Sequence, residues 1–348
     1  MISPIEMAKR HLNGATHRLF TMPILVLSPH SRCNCRCVMC DIWKANQNRQ
    51  ELTVNDLSPH VADLRRLGVQ WVTFSGGEAL MHSNLWALME LLKADGIKLT
   101  LLSTGLLLKH HAESILRWCD EVIVSLDGSQ AVHDAIRNLP EAYERLTDGV
   151  QALHARVPQF PVGARCVLQR ANFRDLPNIV RAARSIGIDR ISFLAADLST
   201  EAFNRPTGWG RERVSEVALS RDEVAEFNQI IERMIVDCAE EFSRGFIEES
   251  PAKLRRIGQY YAAIHGLVPF PDTICNAPWV SAVIEPNGDV RPCFFHPPKG
   301  NIRRNSLLEI VNGPENVRFR QQLEVKTDPI CRKCVCTLSV GRGRNLRR

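Results

Sequence analysis

Short β-branched runs alternate with amphipathic stretches through the first two thirds of the chain, and this alternation limits the fold more than any other feature. The apolar runs are Ile24–Leu27, Trp71–Phe74, Leu99–Leu102, Val122–Ser125, Gly163–Leu168 and Arg190–Phe193. Between them, Val54–Leu67, Leu85–Ala94, His110–Trp118, Ala142–His154 and Leu176–Ile186 carry apolar residues at helical spacing. Successive runs start 23 to 47 residues apart, enough for the helical crossover that a parallel strand pair requires. Six repeats are too few to close an eight-stranded barrel. They predict an α/β fold, a partial (β/α)6 barrel open on one side. Gly68, Gly96 and Gly187 stand where helices end before the next strand, and Pro177 stands in the first turn of a helix.

Beyond the sixth run the texture changes. Glu223–Phe242 reads as a long helix and Ala252–Ile264 as another, with Asn204–Gly210 (NRPTGWG) as a loop before them. From Pro269 a short strand, Ala282–Ile284, meets strong turn chemistry at Glu285-Pro-Asn-Gly-Asp289 and returns as Val290–Cys293. Ser306 to Gly313 starts a helix, and Pro329 leads into CRKCVC. The expected division is an N-terminal extension, 1–22; a core, 23–196; a helical connector, 197–268; a small α+β cysteine-rich module, 269–338; and a basic tail, 339–348.

Hydrophobic content of 45% and charged content of 24% suit a globular protein in water. No apolar run is long enough to cross a bilayer, and the N-terminus lacks the apolar stretch of a signal peptide. The expected location is the cytoplasm, where the 12 cysteines stay reduced. They are unevenly placed. Four fall within residues 33 to 40 and five within 275 to 336, which implies two metal centres. Cys119, Cys166 and Cys238 are isolated and read as buried thiols. Much of the net charge of +6 sits at Arg342 to Arg348. No aromatic residues interleave with that charge, so it reads as a solvated terminus rather than a nucleic-acid site.

Cys33, Cys37 and Cys40 form a Cys-x3-Cys-x2-Cys run just after the first strand. Three thiolates can hold three corners of a cubic iron–sulfur cluster and leave the fourth iron open to a small molecule. Zinc is the alternative, with Cys35 and His30 nearby as further donors. Gly76-Gly77-Glu78 follows the second strand, at the strand end that forms the active face of a parallel α/β barrel. Alone it is only a turn; with the upstream triad it points to a ligand approached closely by backbone.

With both motifs on the page, residues 20 to 195 resemble the core of a radical S-adenosylmethionine enzyme. Cys33, Cys37 and Cys40 match the family's cysteine signature, and Gly76, Gly77 and Glu78 match its GGE motif. The resemblance implies a [4Fe–4S] cluster on the three cysteines. S-adenosylmethionine would bind the open iron through its amino and carboxylate groups, with GGE at the amino group. The stretch Ser125-Leu-Asp127-Gly128, His133-Asp134 and Arg137 resembles a segment found in one branch of the family. It implies Ser125 at the cofactor's ribose or carboxylate, with Ser103 and Thr104 aimed at the same site. A helix cap is the plain alternative for each, and Arg137 could hold the carboxylate or form a surface ion pair. Met39 stands where the family often has an aromatic residue near the adenine, and a thioether can fill that space. Cys35 is outside the signature.

The distal cysteines resemble the SPASM and twitch modules appended to some of these enzymes. Cys275, Cys293, Cys331 and Cys334 would ligate one auxiliary [4Fe–4S] cluster, with Cys336 the rival for the fourth place. Four thiolates also suit zinc. The resemblance implies reductive cleavage of S-adenosylmethionine to a 5′-deoxyadenosyl radical, hydrogen abstraction from substrate, and an oxidation with the auxiliary cluster as electron acceptor. An external one-electron donor such as flavodoxin or ferredoxin is implied too. About 23 residues precede the first strand, which favours a small-molecule substrate over a peptide. A peptide-modifying enzyme is the alternative, and a non-catalytic iron–sulfur or zinc protein is the alternative of another class.

Overall fold

A computed structural model describes residues 3–340; the basic tail from residue 341 on lies outside the described residues. The chain begins with α1 (Pro4–Thr16), capped by the Ser3 hydroxyl on the Glu6 amide at 3.2 Å. Strand β1 (Ile24–Leu27) follows. Next come α2 (Val54–Leu57), entered through a Thr53/Asp56 capping box, and α3 (Val61–Arg66). Pro59 lies in a short 3₁₀ turn that separates α2 from α3, so the expected single helix is two. Then come β2 (Trp71–Phe74), α4 (Leu85–Lys93), β3 (Lys98–Ser103), α5 (Ala112–Trp118), β4 (Glu121–Ser125), α6 (Gln130–Arg137), α7 (Ala142–His154), β5 (Val162–Leu168), α8 (Leu176–Ile186) and β6 (Arg190–Ala195). Gly187 ends α8 in the left-handed region at φ 91°.

The helical segment after β6 holds α9 (Arg211–Val217), α10 (Arg221–Asp237), α11 (Ala239–Ser243) and α12 (Pro251–Ile264). The long helix expected at Glu223–Phe242 breaks at Cys238, whose backbone leaves the helical region at φ −109°, ψ 27°. The C-terminal part holds α13 (Ala277–Val280), β7 (Ser281–Ile284), β8 (Val290–Arg291), α14 (Leu307–Asn312) and α15 (Pro314–Gln322).

The chain forms two compact units. One takes residues up to 32, 45–101 and 273 onward; the other takes 33–44 and 102–272. In the first unit, β1 pairs parallel with β2 (Ile24 opposite Trp71), and β2 pairs parallel with β3 (Trp71 opposite Lys98). On its other edge β1 pairs parallel with β7 (Ile24 opposite Ser281), and β7 turns into antiparallel β8. The hairpin of the cysteine-rich segment thus extends the sheet of this unit. In the second unit β4, β5 and β6 run parallel, with Ser125 opposite Arg165 and Arg165 opposite Ser192. The α/β class with a parallel sheet is as the alternation predicts.

The second unit's core lies between its strands and helices. Val122, Val124, Cys166, Leu168 and Ile191 are buried with Phe173, Phe227 and Tyr261. Each such side chain contributes about 1.5–3 kcal/mol by leaving water. Edge-to-face contacts join Phe173 to Phe227 (5.9 Å) and Phe227 to Tyr261 (6.3 Å), packing α10 and α12 together. From α12, the Tyr261 hydroxyl donates to the Leu168 carbonyl at 2.5 Å, and that of Tyr260 donates to the Ala196 carbonyl at 3.1 Å. The helix therefore pins the C-terminal ends of β5 and β6, the strand ends at which a parallel α/β fold does chemistry.

Candidate active site and auxiliary centre

The cysteine run Cys33–Cys40 belongs to the second unit, and backbone bonds hold it on the end of α6. The Arg36 amide donates to the Arg137 carbonyl at 3.1 Å, and the Val38 amide to the Ile136 carbonyl at 3.0 Å. Arg137 itself is buried, not on the surface. Its guanidinium pairs with the buried Asp127 carboxylate and reaches the Cys37 sulfur at 3.5 Å. Asp127 also accepts the Val167 amide at 2.9 Å, and its own amide donates to His133 Nδ1 at 3.1 Å. The stretch from Ser125 to Arg137 is thus a scaffold under the cysteine run.

Cys35 is buried and donates to Cys37. That bond first, and Arg137 second, draw the Cys37 thiol below its ordinary range, while Cys35 itself is pushed far up. Burial raises the Cys40 thiol to about 12. The Cys40 sulfur accepts the Ile42 amide at 3.5 Å, and Trp43 Nε1 donates to the Cys40 carbonyl at 2.9 Å.

A second clamp comes from the loop between β6 and α9, which sequence reasoning left as a connector. Buried Arg205 donates to the Met39 carbonyl at 2.7 Å and pairs with Asp197 at 3.1 Å. Its guanidinium stacks 3.6 Å from the centre of the Trp209 ring. Trp209 Nε1 donates to Asp41 at 2.7 Å, Asn204 Nδ2 donates to the Asp41 carbonyl at 3.2 Å, and Arg213 donates to the Val38 carbonyl. Cationic and aromatic residues in NRPTGWGRER were the only signal for this role.

Of the other expected cofactor contacts, Ser103 and Ser125 lie at the ends of β3 and β4 in the second unit. The Ser103 hydroxyl accepts the Gly105 amide at 3.0 Å. Ser125 caps no helix; α6 starts after Ser129. Gly76, Gly77 and Glu78 lie in the first unit, directly after β2. Gly76 sits at φ 103°, and a Cβ there would stand 3.1 Å from Ser28 Cβ and 3.2 Å from the His30 carbonyl, so glycine is required. Glu78 is fully buried; its amide donates to the Arg32 carbonyl at 2.9 Å and its carboxylate accepts the Leu80 amide at 3.1 Å. His30, weighed as a zinc donor, turns Nε2 toward Glu51 at 3.1 Å and accepts the Arg32 amide at Nδ1.

The first unit also gathers the distal cysteines. Cys293 feels the charges of Cys275 and Cys336; Cys331 those of Cys293 and Cys275; Cys334 those of Cys336, Cys275 and Cys293. Burial raises Cys293 to about 11, and raises Cys331 and Cys334 further. Cys336 is the exposed member. Asp328 accepts the amides of Cys331 (2.8 Å) and Ile330 (3.0 Å), and Thr273 donates to the Cys331 carbonyl at 3.0 Å. His296, Asp328 and Cys331 bring a nitrogen, an oxygen and a sulfur within 4.8 Å of one another. The Cys293-x2-His296 spacing was the sequence signal for that histidine. A cleft of about 980 Å³ in the same unit, lined by Arg18, Phe20, Arg66, Leu308 and Arg318, sits at the segments that enter β1 and β2, away from the strand ends carrying the motifs.

Both donor sets fit iron–sulfur clusters. Each is made of soft sulfur donors, all free thiols, on segments whose backbone is held by hydrogen bonds. A parallel α/β fold with a three-thiol run after β1 and a glycine turn after β2 defines a cluster-dependent enzyme. Residues 27–183 match the radical SAM superfamily, and residues 275–335 match the SPASM family, an iron–sulfur cluster-binding domain. The chain thus carries a radical SAM domain and a SPASM domain, which imply S-adenosylmethionine, the [4Fe–4S] cluster that binds it, and auxiliary iron–sulfur as cofactors. The Fe-coproporphyrin III synthase of Methanosarcina barkeri is 28% identical over 174 residues, 49% of this chain and 43% of that protein, so the match spans less than half of this relative. The subtilosin biosynthesis protein AlbA of Bacillus subtilis is 23% identical over 341 residues, 95% of this chain and 69% of that one. Among solved structures, Streptococcus suis SuiB bound to the precursor peptide SuiA has a TM-score of 0.64 at 15% identity, covering 91% of this chain and 71% of that chain. That likeness is one of fold.

Proposed function

We propose that this enzyme takes a hydrogen from a peptide and completes an oxidation of it. The observation that carries the peptide is the reach of the AlbA match. A bacteriocin-biosynthesis protein aligns along 95% of this chain, SPASM segment included, whereas the porphyrin-pathway relative aligns along about half. The shortness of the segment ahead of β1 does not weigh against a peptide.

When bound, the cluster and S-adenosylmethionine supply a 5′-deoxyadenosyl radical. In this reading Cys33, Cys37 and Cys40 hold the cluster, with Cys35 and Arg137 donating to the Cys37 sulfur. Gly76, Gly77 and Glu78 receive the methionine amino group, Ser103 and Ser125 the ribose or carboxylate, and Met39 lies by the adenine. Arg205 and Trp209 hold the Met39–Asp41 backbone against displacement. Cys275, Cys293, Cys331 and Cys334 hold the auxiliary cluster as electron acceptor. The reading retains the division at 196, 268 and 338, a flavodoxin or ferredoxin as donor, and a cytoplasmic location. No described helix is long and apolar enough to cross a membrane.

Deuterium transfer tests the substrate. The reconstituted, dithionite-reduced enzyme is given perdeuterated peptides or porphyrin-type metabolites, and 5′-deoxyadenosine is examined by mass spectrometry. Label from a peptide, with a product lighter by two hydrogens, is expected. Label from the metabolite alone would return the assignment to a small molecule.

A further inference from the structure

His296 is a buried imidazole that the proposed reaction does not use. Its Nε2 lies 3.4 Å from the Cys331 sulfur and 3.8 Å from Asp328 Oδ1, so the sulfur is its nearest acceptor. The ring has an aromatic neighbour, and the residue's backbone is held separately. The imidazole meets Phe319 edge to face at 4.8 Å, and the His296 carbonyl accepts Arg291 Nη1 at 3.0 Å. Asp328 fixes the other partner by accepting the Cys331 amide. Asp328 thus borders both the imidazole and the Cys331 backbone, and Phe319 and Arg291 hold the histidine beside the sulfur.

We propose that His296 is a positioning residue that donates a hydrogen bond to the Cys331 thiolate and raises the reduction potential of the auxiliary cluster. The inference rests on Cys331 being a cluster ligand. Reduction adds negative charge to a cluster, and an N–H aimed at a ligating sulfur stabilises the more negative state. Burial keeps water from screening that effect. A raised potential makes the cluster a better acceptor for an electron leaving the substrate.

The experiment is a redox titration followed by electron paramagnetic resonance, on full-length protein. The Cys33→Ala/Cys37→Ala/Cys40→Ala background leaves the auxiliary cluster alone, about four irons. His296→Leu is expected to keep the iron and move the potential down; His296→Gln, which restores an N–H, is expected to move it back toward the parent. An unchanged potential in His296→Leu would overturn the proposal. So would loss of the irons in both variants, which would make His296 a ligand. Full iron retention in a further Cys331→Ala variant would instead remove the ligand assignment beneath it.

Discussion

Arg137 supports the candidate site by joining Asp127 to the Cys37 sulfur inside the protein. Removing one partner of a buried ion pair leaves a charge in low dielectric, which costs about 3–5 kcal/mol. Arg137→Met is therefore expected to lower the urea midpoint sharply and reduce iron per chain, and Arg137→Met/Asp127→Leu to recover part of the stability. A single variant as stable as the parent would contradict the pairing. Beside it, burial and then the Arg137 charge hold the His133 pKa down to about 3. Unfolded, that ring titrates near 6.5, so between these values the unfolded chain binds the extra proton. The stability that the neutral ring confers is complete above pH 6.5 and falls as pH drops, by up to about 1.4 kcal/mol per unit. His133→Asn, which retains an acceptor for the Asp127 amide, should flatten that slope between pH 6.5 and 5 in thermal unfolding. Equal slopes would place the acid sensitivity elsewhere.

Among the elements, the turn after β2 and the loop after β6 matter most. Gly76→Ala forces a side chain into left-handed backbone and against Ser28 and the His30 carbonyl. A loss of about 1–3 kcal/mol is expected from such strain, read as a lower urea midpoint. Arg205→Leu frees the Met39 carbonyl and leaves Asp197 unpaired. Hydrogen exchange should speed up over residues 38–41 well before global unfolding, because the clamp rather than the core has been removed. Unchanged exchange there would show that the backbone holds without it. The strands were legible from the sequence, since apolar alternation and glycine stops are local signals. Strand β1 spans the residues expected, Ile24–Leu27. Helix α6 was missed although Val132 and Ile136 stand at helical spacing, because it spans only 8 residues; the loop's role was missed because a cation reaching a backbone carbonyl far along the chain leaves no periodic trace.

For the whole molecule, the two donor sets predict about eight irons after anaerobic reconstitution, two [4Fe–4S] clusters, and about four in the Cys33→Ala/Cys37→Ala/Cys40→Ala variant. Iron analysis and the visible absorbance per chain test this together. Retention of the full load in the triple variant would refute the assignment of the first cluster to that run. The C-terminal segment shares the sheet of the first unit. β7 pairs with β1, Ser281 opposite Ile24, and His60 Nε2 lies 2.9 Å from the Ile302 carbonyl. Losing the last part of the chain would therefore expose an edge of β1, and truncation before Thr273 is expected to yield insoluble protein rather than a working core.

The amino-acid sequence by itself determined the repeating α/β pattern, the sulfur donors and the glycine turn, because hydrophobic period, ligand spacing and positive-φ requirements are properties of neighbouring residues. Tertiary structure alone decided that Arg137 would meet Cys37, that Arg205 would hold Met39, that β7 would lie beside β1 and that His296 would face Cys331. Each of those pairings joins segments distant in the chain, and only the closing of the fold supplies the burial that makes a hydrogen bond or charge at those places consequential.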